Sequence, residues 1–166
     1  GGRQLLDIEV SDGSLSDKTR LVLNADATMD YEIGRDASKF FDNGSPTPQI
    51  YSLDSEGTQY AINERPVDNG TLHLGILFAE DGEYTLSAIR NNIGQVIMTD
   101  HETGIMTDLQ QHGYTFDAQA GMNNVRFTLS FGGSTTGIST VMGNEVKETE
   151  VYTLNGTKVG NTTSGL

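Results

Sequence analysis

The segment NVRFTLSF, which ends at Phe131, alternates apolar and polar residues with a strict period of two. Its apolar members are Val125, Phe127, Leu129 and Phe131. Because successive side chains of a β-strand point to opposite faces, this pattern predicts a strand with one face on a core and the other in water. That arrangement is typical of an antiparallel sheet that is covered on one side only.

Earlier parts of the chain repeat this pattern. Residues 5–10 (LLDIEV) and 20–24 (RLVLN) predict two strands, and the alternation in MDYEI (29–33) predicts a third, followed by a turn. Residues 50–53 and 59–63 predict a hairpin across the turn-forming sequence DSEG.

The segment TLHLGILF is joined to EYTLSAI by Asp81-Gly82, and the two runs together predict a further hairpin. Two more strands, in QVIMTDHETG and QHGYTF, precede NVRFTLSF. The total of about ten strands, at intervals of about 8 to 12 residues, favours an all-β fold. We therefore predict an antiparallel β-sandwich, either jelly-roll-like or immunoglobulin-like.

The composition changes after Phe131. Residues 132–140 (GGSTTGIST) lack apolar periodicity and are interpreted as a linker. Beyond them, VKETEVYTL and TKV flank Asn155-Gly156, which predicts a partial C-terminal β-hairpin in residues 141–166. The predicted organisation is therefore a sandwich domain at 1–131, a linker and a hairpin.

Charge and composition exclude several classes of partner. The 10 Lys and Arg residues against 23 Asp and Glu give a net charge of −13, which repels phosphate backbones and anionic lipid surfaces. We therefore expect no nucleic-acid partner and no direct membrane insertion. The chain has no Cys, and hence no disulfide and no thiolate metal site.

Carboxylates in predicted loops are candidate calcium ligands. The segment with Glu80, Asp81 and Glu83 is the best candidate, although a hairpin turn is its simpler interpretation. The three histidines lack zinc-ligand spacing. No other cofactor is expected.

Three tyrosines are candidates for ligand binding. Tyr31, Tyr51 and Tyr152 fall outside the predicted core faces and could form the aromatic platform of a carbohydrate site. Packing in the core or at an interface is the preferred interpretation for each of them.

Four Asn-x-Ser/Thr sequences match the glycosylation signal, at Asn43, Asn69, Asn155 and Asn161. Three of them are also Asn-Gly pairs, so a turn is the preferred interpretation.

The order of several segments resembles a β-sandwich module of large extracellular Bacteroidetes proteins, which precedes the C-terminal sorting domain of the type IX secretion system. The matching segments, within about residues 25–131, are DASKFF, PQIYSL, QYAINERP, LGILFAEDGEYTLSA, VIMTDHETGIMTDLQQHGYTFDAQAG and NVRFTLSF. In the tail, EVYTLNGTKVG resembles the start of the sorting domain.

The resemblance implies an extracellular or cell-surface location at the bacterial outer envelope, and a non-catalytic accessory role of the structural or adhesion type. The expected partner is a protein or glycan at the cell surface. A carbohydrate-binding module is the alternative function. A hydrolase on the sandwich is a third, and it would need two or more loop acids in one pocket.

Overall fold

A computed structural model describes residues 3–66 and 70–131, and this part of the chain contains strands and no helix. The predicted all-β class is confirmed. The strands are β1 (Gln4–Ser11), β2 (Ser16–Leu23), β3 (Ala37–Ser38), β4 (Gln49–Leu53), β5 (Gln59–Arg65), β6 (Thr71–Phe78), β7 (Gly82–Asn91), β8 (Ile97–Asp100), β9 (Met106–Asp108), β10 (Tyr114–Ala118) and β11 (Gly121–Ser130). The predicted linker and C-terminal hairpin, including Tyr152, lie outside the described residues.

The strands form one sheet in the order β10-β7-β1-β2-β5-β4-β6-β11-β8-β9, with β3 paired to β5. Most neighbours are antiparallel, but β2 and β5 run parallel, with Arg20 opposite Ile62. The sheet is therefore mixed, which corrects the prediction of a purely antiparallel one. A parallel pair needs a long connection, and residues 24–58 provide it, including β3 and β4.

Aromatic rings show that this sheet folds over onto itself. Phe116 on β10, at one end of the strand order, lies 4.9 Å from Phe127 on β11 and 6.0 Å from Phe78 on β6, measured between ring centroids. Strands so distant in the order meet only if their faces oppose each other. The sheet therefore curls around one core into a nearly barrel-shaped fold, in which two layers of the same sheet face each other.

β5 joins the two layers. Its first residues pair with β4, as Tyr60 does with Ser52, whereas its last residues pair with β2, as Arg65 does with Leu23. The predicted β4–β5 hairpin is confirmed.

The predicted hairpin between β6 and β7 is wrong. β6 pairs with β4 and β11, whereas β7 pairs with β1 and β10. The turn instead carries the chain between the layers, so that Phe78 and Tyr84 pack across the core with ring centroids 4.7 Å apart. Two amphipathic strands joined by a short turn fit a hairpin and a layer-crossing connection equally well, because both bury the same alternate residues.

The alternation in β11 holds only for its second half. Phe127 and Leu129 are fully buried, but Val125 is 77% exposed and Arg126 is buried. The pairing with β6 shifts between Asn123 and Phe127, which marks a bulge that turns Val125 out of the core.

Arg126 is the polar residue that this bulge buries. Its guanidinium lies 4.8 Å from the centre of the Phe116 ring and 5.2 Å from that of Phe127, and it donates to Asp117 O at 2.9 Å. Cation–π contacts and the hydrogen bond offset the loss of water around the charge.

The segment MDYEI is not a strand, which corrects the third strand prediction. Residues 24–36 form a loop with one isolated bridge, between Ile33 and Asp36. The Asp36 carboxylate holds the loop against β5, because it accepts from Glu32 N at 2.7 Å and from Glu64 N at 2.7 Å.

The segment Thr99–Met106 belongs to a second compact unit of the chain. Within it, Asp100 N donates to Ile105 O at 2.9 Å and Gly104 N donates to Asp100 O at 2.7 Å. These bonds close a tight loop between β8 and β9.

Contacts of the Tyr51 side chain hold the loop after β3 against the sheet. The Phe41 ring meets the Tyr51 ring edge-on at 5.2 Å, and the Tyr51 hydroxyl donates to Asn124 Oδ1. The Tyr51 ring lies directly over Gly75 on β6, where a Cβ atom would overlap it. Only glycine fits at this position.

We predict that Gly75→Ala lowers the free energy of unfolding by about 1–3 kcal/mol, because the new methyl group displaces the Tyr51 ring. Gly82→Ala is the matched control, since a Cβ at this exposed strand residue meets no atom within 4 Å. Urea unfolding followed by circular dichroism measures both. Equal stability of the two variants would contradict the packing described.

Candidate functional site

An open cleft of about 360 Å³ lies beside the tip of the β4–β5 hairpin. Its walls come from the loop before β3, from the hairpin tip and from β5 and β6. The lining residues are Met29, Asp30, Tyr31, Leu53, Asp54, Ser55, Glu56, Thr58, Asn63, Arg65, Thr71 and His73. We call it the Tyr31 cleft.

Tyr31 provides the aromatic wall of this cleft. Its side chain is 43% exposed, and its ring stacks on that of Tyr60 with centroids 5.8 Å apart and planes 26° apart. The Tyr31 hydroxyl donates to Asp36 O over a long 3.4 Å. One ring face therefore rests on protein while part of the side chain remains open to a ligand.

Asp54 organises the opposite wall. Its Oδ1 accepts from Glu56 N and Thr58 N, each at 2.9 Å, and its Oδ2 accepts from the Tyr60 hydroxyl at 2.8 Å. Burial alone would raise the pKa of Asp54, but these hydrogen bonds outweigh it and hold that pKa below its usual value. Asp54 is thus a structural carboxylate that stays ionised at neutral pH.

Tyr60 connects the two walls. It is almost fully buried, its ring supports Tyr31, and its hydroxyl donates to Asp54. Burial and the neighbouring Asp54 carboxylate both raise the pKa of Tyr60, which therefore remains a hydrogen-bond donor. The position of the aromatic wall and the shape of the hairpin tip both depend on this residue.

The predicted ligand-binding tyrosines have different environments. Tyr31 is exposed in a cleft beside loop carboxylates, as the carbohydrate-site hypothesis requires. Tyr51 is fully buried, which rules it out as a ligand-binding platform and agrees with the core packing preferred for it. β4 has both faces covered because the core lies on one side and Phe41 packs on the other.

The predicted calcium ligands are not gathered into a site. Glu80, Asp81 and Glu83 lie at the turn before and the start of β7, and Asp81 Oδ1 instead accepts from Ala120 N at 2.8 Å. Within residues 3–66 and 70–131, no group of three or more His, Asp or Glu side chains is arranged to hold a metal ion.

Glu80 contributes to a second cleft, of about 410 Å³, that faces the turn containing Asn43. The Gln49 side chain braces this turn, because its amide accepts from Asp42 N at 2.8 Å and donates to Asp42 O at 3.2 Å. We call this second cleft the Asn43 cleft.

Sequence reasoning missed Asn63, Arg65 and His73 as lining residues of the Tyr31 cleft. His73 lies between the core residues Leu72 and Leu74, so its position on the outer face of β6 follows from the period of two. The missing information was that β5 and β6 both flank β4, which brings His73 into one cleft with Asn63 and Arg65.

Fold and site together define a small all-β domain with an open polar cleft walled by one tyrosine. A family model described as a domain of unknown function, DUF8693, matches residues 2–131, and the chain belongs to this family. No curated protein and no solved structure matches the chain. No helix long and apolar enough to cross a membrane occurs in the portion of the chain that the structure describes.

We predict that Tyr60→Phe lowers the free energy of unfolding by about 1–3 kcal/mol, since the half-buried Asp54 carboxylate loses a hydrogen-bond donor. Tyr31→Phe is the control, because it removes a hydroxyl with only a 3.4 Å contact and should change stability by less than about 0.5 kcal/mol. Chemical denaturation of both variants tests the difference. A larger effect for Tyr31→Phe would show that Tyr60 does not join the walls.

The pH dependence of stability provides a test for Tyr51. Burial raises the pKa of this phenol from 10.0 to about 12, against a smaller opposing contribution from the Gln59 side chain. The unfolded chain loses this proton first, so the stabilisation is complete below pH 10 and is lost as the pH rises toward 12. We expect the stability difference between the unsubstituted protein and Tyr51→Phe to shrink over that interval. A difference independent of pH would contradict the burial of Tyr51.

Proposed function

We propose that this domain is a non-catalytic carbohydrate-binding module of a secreted or cell-surface bacterial protein, and that the Tyr31 cleft holds the sugar. The observation that carries the proposal is the exposed Tyr31 ring, supported from behind by Tyr60 and flanked by polar side chains in one cleft. The extracellular setting rests on the family resemblance in the sequence.

The chemistry of the cleft suits a saccharide. Sugar rings have apolar C–H faces that pack on an aromatic ring, and hydroxyl groups that need donors and acceptors around them. Tyr31 offers the ring, while Asp30, Glu56 and His73 offer hydrogen-bonding groups at the rim. A volume of about 360 Å³ falls within the range of small-molecule sites and suits one or two sugar units.

Charge narrows the choice of glycan. The net charge of −13 disfavours sulfated or uronic-acid polymers through long-range repulsion. Neutral glycans are therefore the expected ligands.

Two features support binding rather than hydrolysis. The Asp54 oxygens already accept hydrogen bonds from Tyr60 and two backbone amides, and its lowered pKa makes it a poor general acid. The remaining carboxylates of the cleft, Asp30 and Glu56, are exposed to water. Neither carboxylate therefore lies in the closed, water-excluded kind of site that favours hydrolytic chemistry.

A purely structural or adhesion role is the second candidate. It is supported by the shared core of the two layers, which makes the domain a firm spacer, and by the exposed apolar side chains of Ile33 and Phe40. In that case the partner would be a protein, and the Tyr31 cleft would bind no sugar.

We expect one or more neutral glycans to raise the unfolding temperature by mass action in a panel of bacterial, plant and mucin oligosaccharides. Tyr31→Ala should abolish the shift, whereas Tyr31→Phe should keep it, because the ring rather than the hydroxyl packs on the sugar. Isothermal titration calorimetry measures the affinity of each variant, and EDTA should leave it unchanged.

Phe40→Ala is the matched control, because Phe40 is 88% exposed and is not among the residues of the cleft. Loss of binding in this variant, or full binding by Tyr31→Ala, would place the sugar elsewhere. A panel without any shift would favour the structural role, and release of reducing ends would favour the hydrolase.

A further inference from the structure

Asn43 lies in an exposed turn that leaves its side chain unusually unconstrained. Ser45 N donates to Asp42 O at 3.2 Å, which closes a turn with Asn43 and Gly44 at its centre. Gly44 has a φ of +81°, and both central residues are exposed. A Cβ built on Gly44 would meet no atom within 4 Å, so the space around this peptide bond is open.

The other asparagines that the structure describes are constrained. Their side chains form hydrogen bonds in five cases, namely Asn24, Asn91, Asn92, Asn123 and Asn124. Asn63 is buried, and the amide that follows it, Glu64 N, donates to Asp36 Oδ1 at 2.7 Å. Within the described residues, neither the Asn43 side chain nor the Gly44 amide makes a hydrogen bond.

These features match the requirements of an intramolecular reaction. The Gly44 amide nitrogen, after loss of its proton, attacks Cγ of Asn43; a C–N bond forms and ammonia leaves. The product is a five-membered imide in the backbone. Water then adds to either imide carbonyl, which opens the ring to aspartate or isoaspartate at position 43. Glycine favours the attack because it has no Cβ to obstruct the approach and has a wide choice of φ and ψ.

We propose that Asn43 is a site of spontaneous deamidation, at which the folded domain itself acquires a carboxylate and an isoaspartyl linkage. The Asn-Gly sequence alone does not establish this, since a hydrogen bond to the asparagine side chain or from the following glycine amide would hinder the attack. What favours it is the combination of an unbonded side chain, an unbonded amide and open space.

The reaction changes a defined surface. Asn43 lines the Asn43 cleft together with Asp42 and Glu80. A new carboxylate at position 43 therefore makes the lining of this cleft more acidic. Isoaspartate also adds one carbon to the backbone of a turn that Gln49 braces through Asp42. The site lies outside the Tyr31 cleft, so the inference does not depend on the proposed sugar binding.

The test is to incubate the folded protein in mildly alkaline buffer and to map its peptides by mass spectrometry, with fragment spectra that locate each change. Deamidation replaces NH₂ by OH, and the mass of the peptide rises by the difference. We expect this conversion to be several times faster at Asn43 than at the six other described asparagines. Protein isoaspartyl methyltransferase with labelled S-adenosylmethionine should label the same peptide. Asn69 and Asn155 also precede glycine, and are quantified separately.

Two controls separate the chemistry from general damage. Asn43→Gln should abolish the modification at this position, because attack on its longer side chain must form a less favourable six-membered ring, and Gly44→Ala should slow it through steric obstruction. A synthetic peptide with the sequence FDNGSPT sets the rate without tertiary structure. The proposal requires a similar rate in the folded domain. A folded rate far below that of the peptide, or equal conversion at a bonded asparagine such as Asn124, would overturn it.

Discussion

The contact between Phe116 and Phe127 joins β10 to β11 across the core. These rings come from strands at distant places in one continuous sheet, and Phe78 and Tyr84 complete the cluster between the layers. Burial of an aromatic side chain contributes about 1.5–3 kcal/mol, and each well-oriented ring pair adds about 0.5–1.5 kcal/mol. Together with the aliphatic residues of the same core, which include Leu21 and Leu23 of β2, this cluster holds β10 and β7 against β6 and β11.

The long connection that makes this parallel pairing possible also builds the candidate site. Residues 24–48 follow β2, pair briefly with β5 through β3, and lead into β4. Polar and aromatic anchors hold the connection in place, because Asp36 binds backbone amides on both sides, Tyr31 stacks on Tyr60 and Phe41 meets Tyr51. The topology therefore required a crossover, and the crossover supplies the aromatic wall of the cleft.

Periodicity in the sequence revealed most strands because burial of one face is a local property. The β4–β5 hairpin was readable for the same reason, since a short turn joins two runs of matching register. The β6–β7 connection was predicted wrongly because strand pairing depends on which other strands are available. β4 and β11 pair with the two edges of β6, and β1 and β10 pair with those of β7. The bulge at Asn123 similarly interrupted an alternation that looked continuous in the sequence.

For the candidate site, the residue types were visible in the sequence but their grouping was not. Tyr31 and Tyr51 occupy similar patterns, yet one is exposed and the other is fully buried, because only Tyr51 lies on a strand covered from both sides. Loop carboxylates were recognised as candidates as a class. However, the structure brings Asp54 and Glu56 to the Tyr31 cleft and leaves Glu80, Asp81 and Glu83 without a shared site.

The all-β class, the position of most strands and the acidic surface follow from local alternation and composition, which are visible in the amino-acid sequence. Which strands pair, where the chain changes layers and which polar residues meet follow only from the folded arrangement. Those outcomes depend on contacts between residues distant in the chain, such as Phe116 with Phe127 and Tyr60 with Asp54, and no local pattern encodes them.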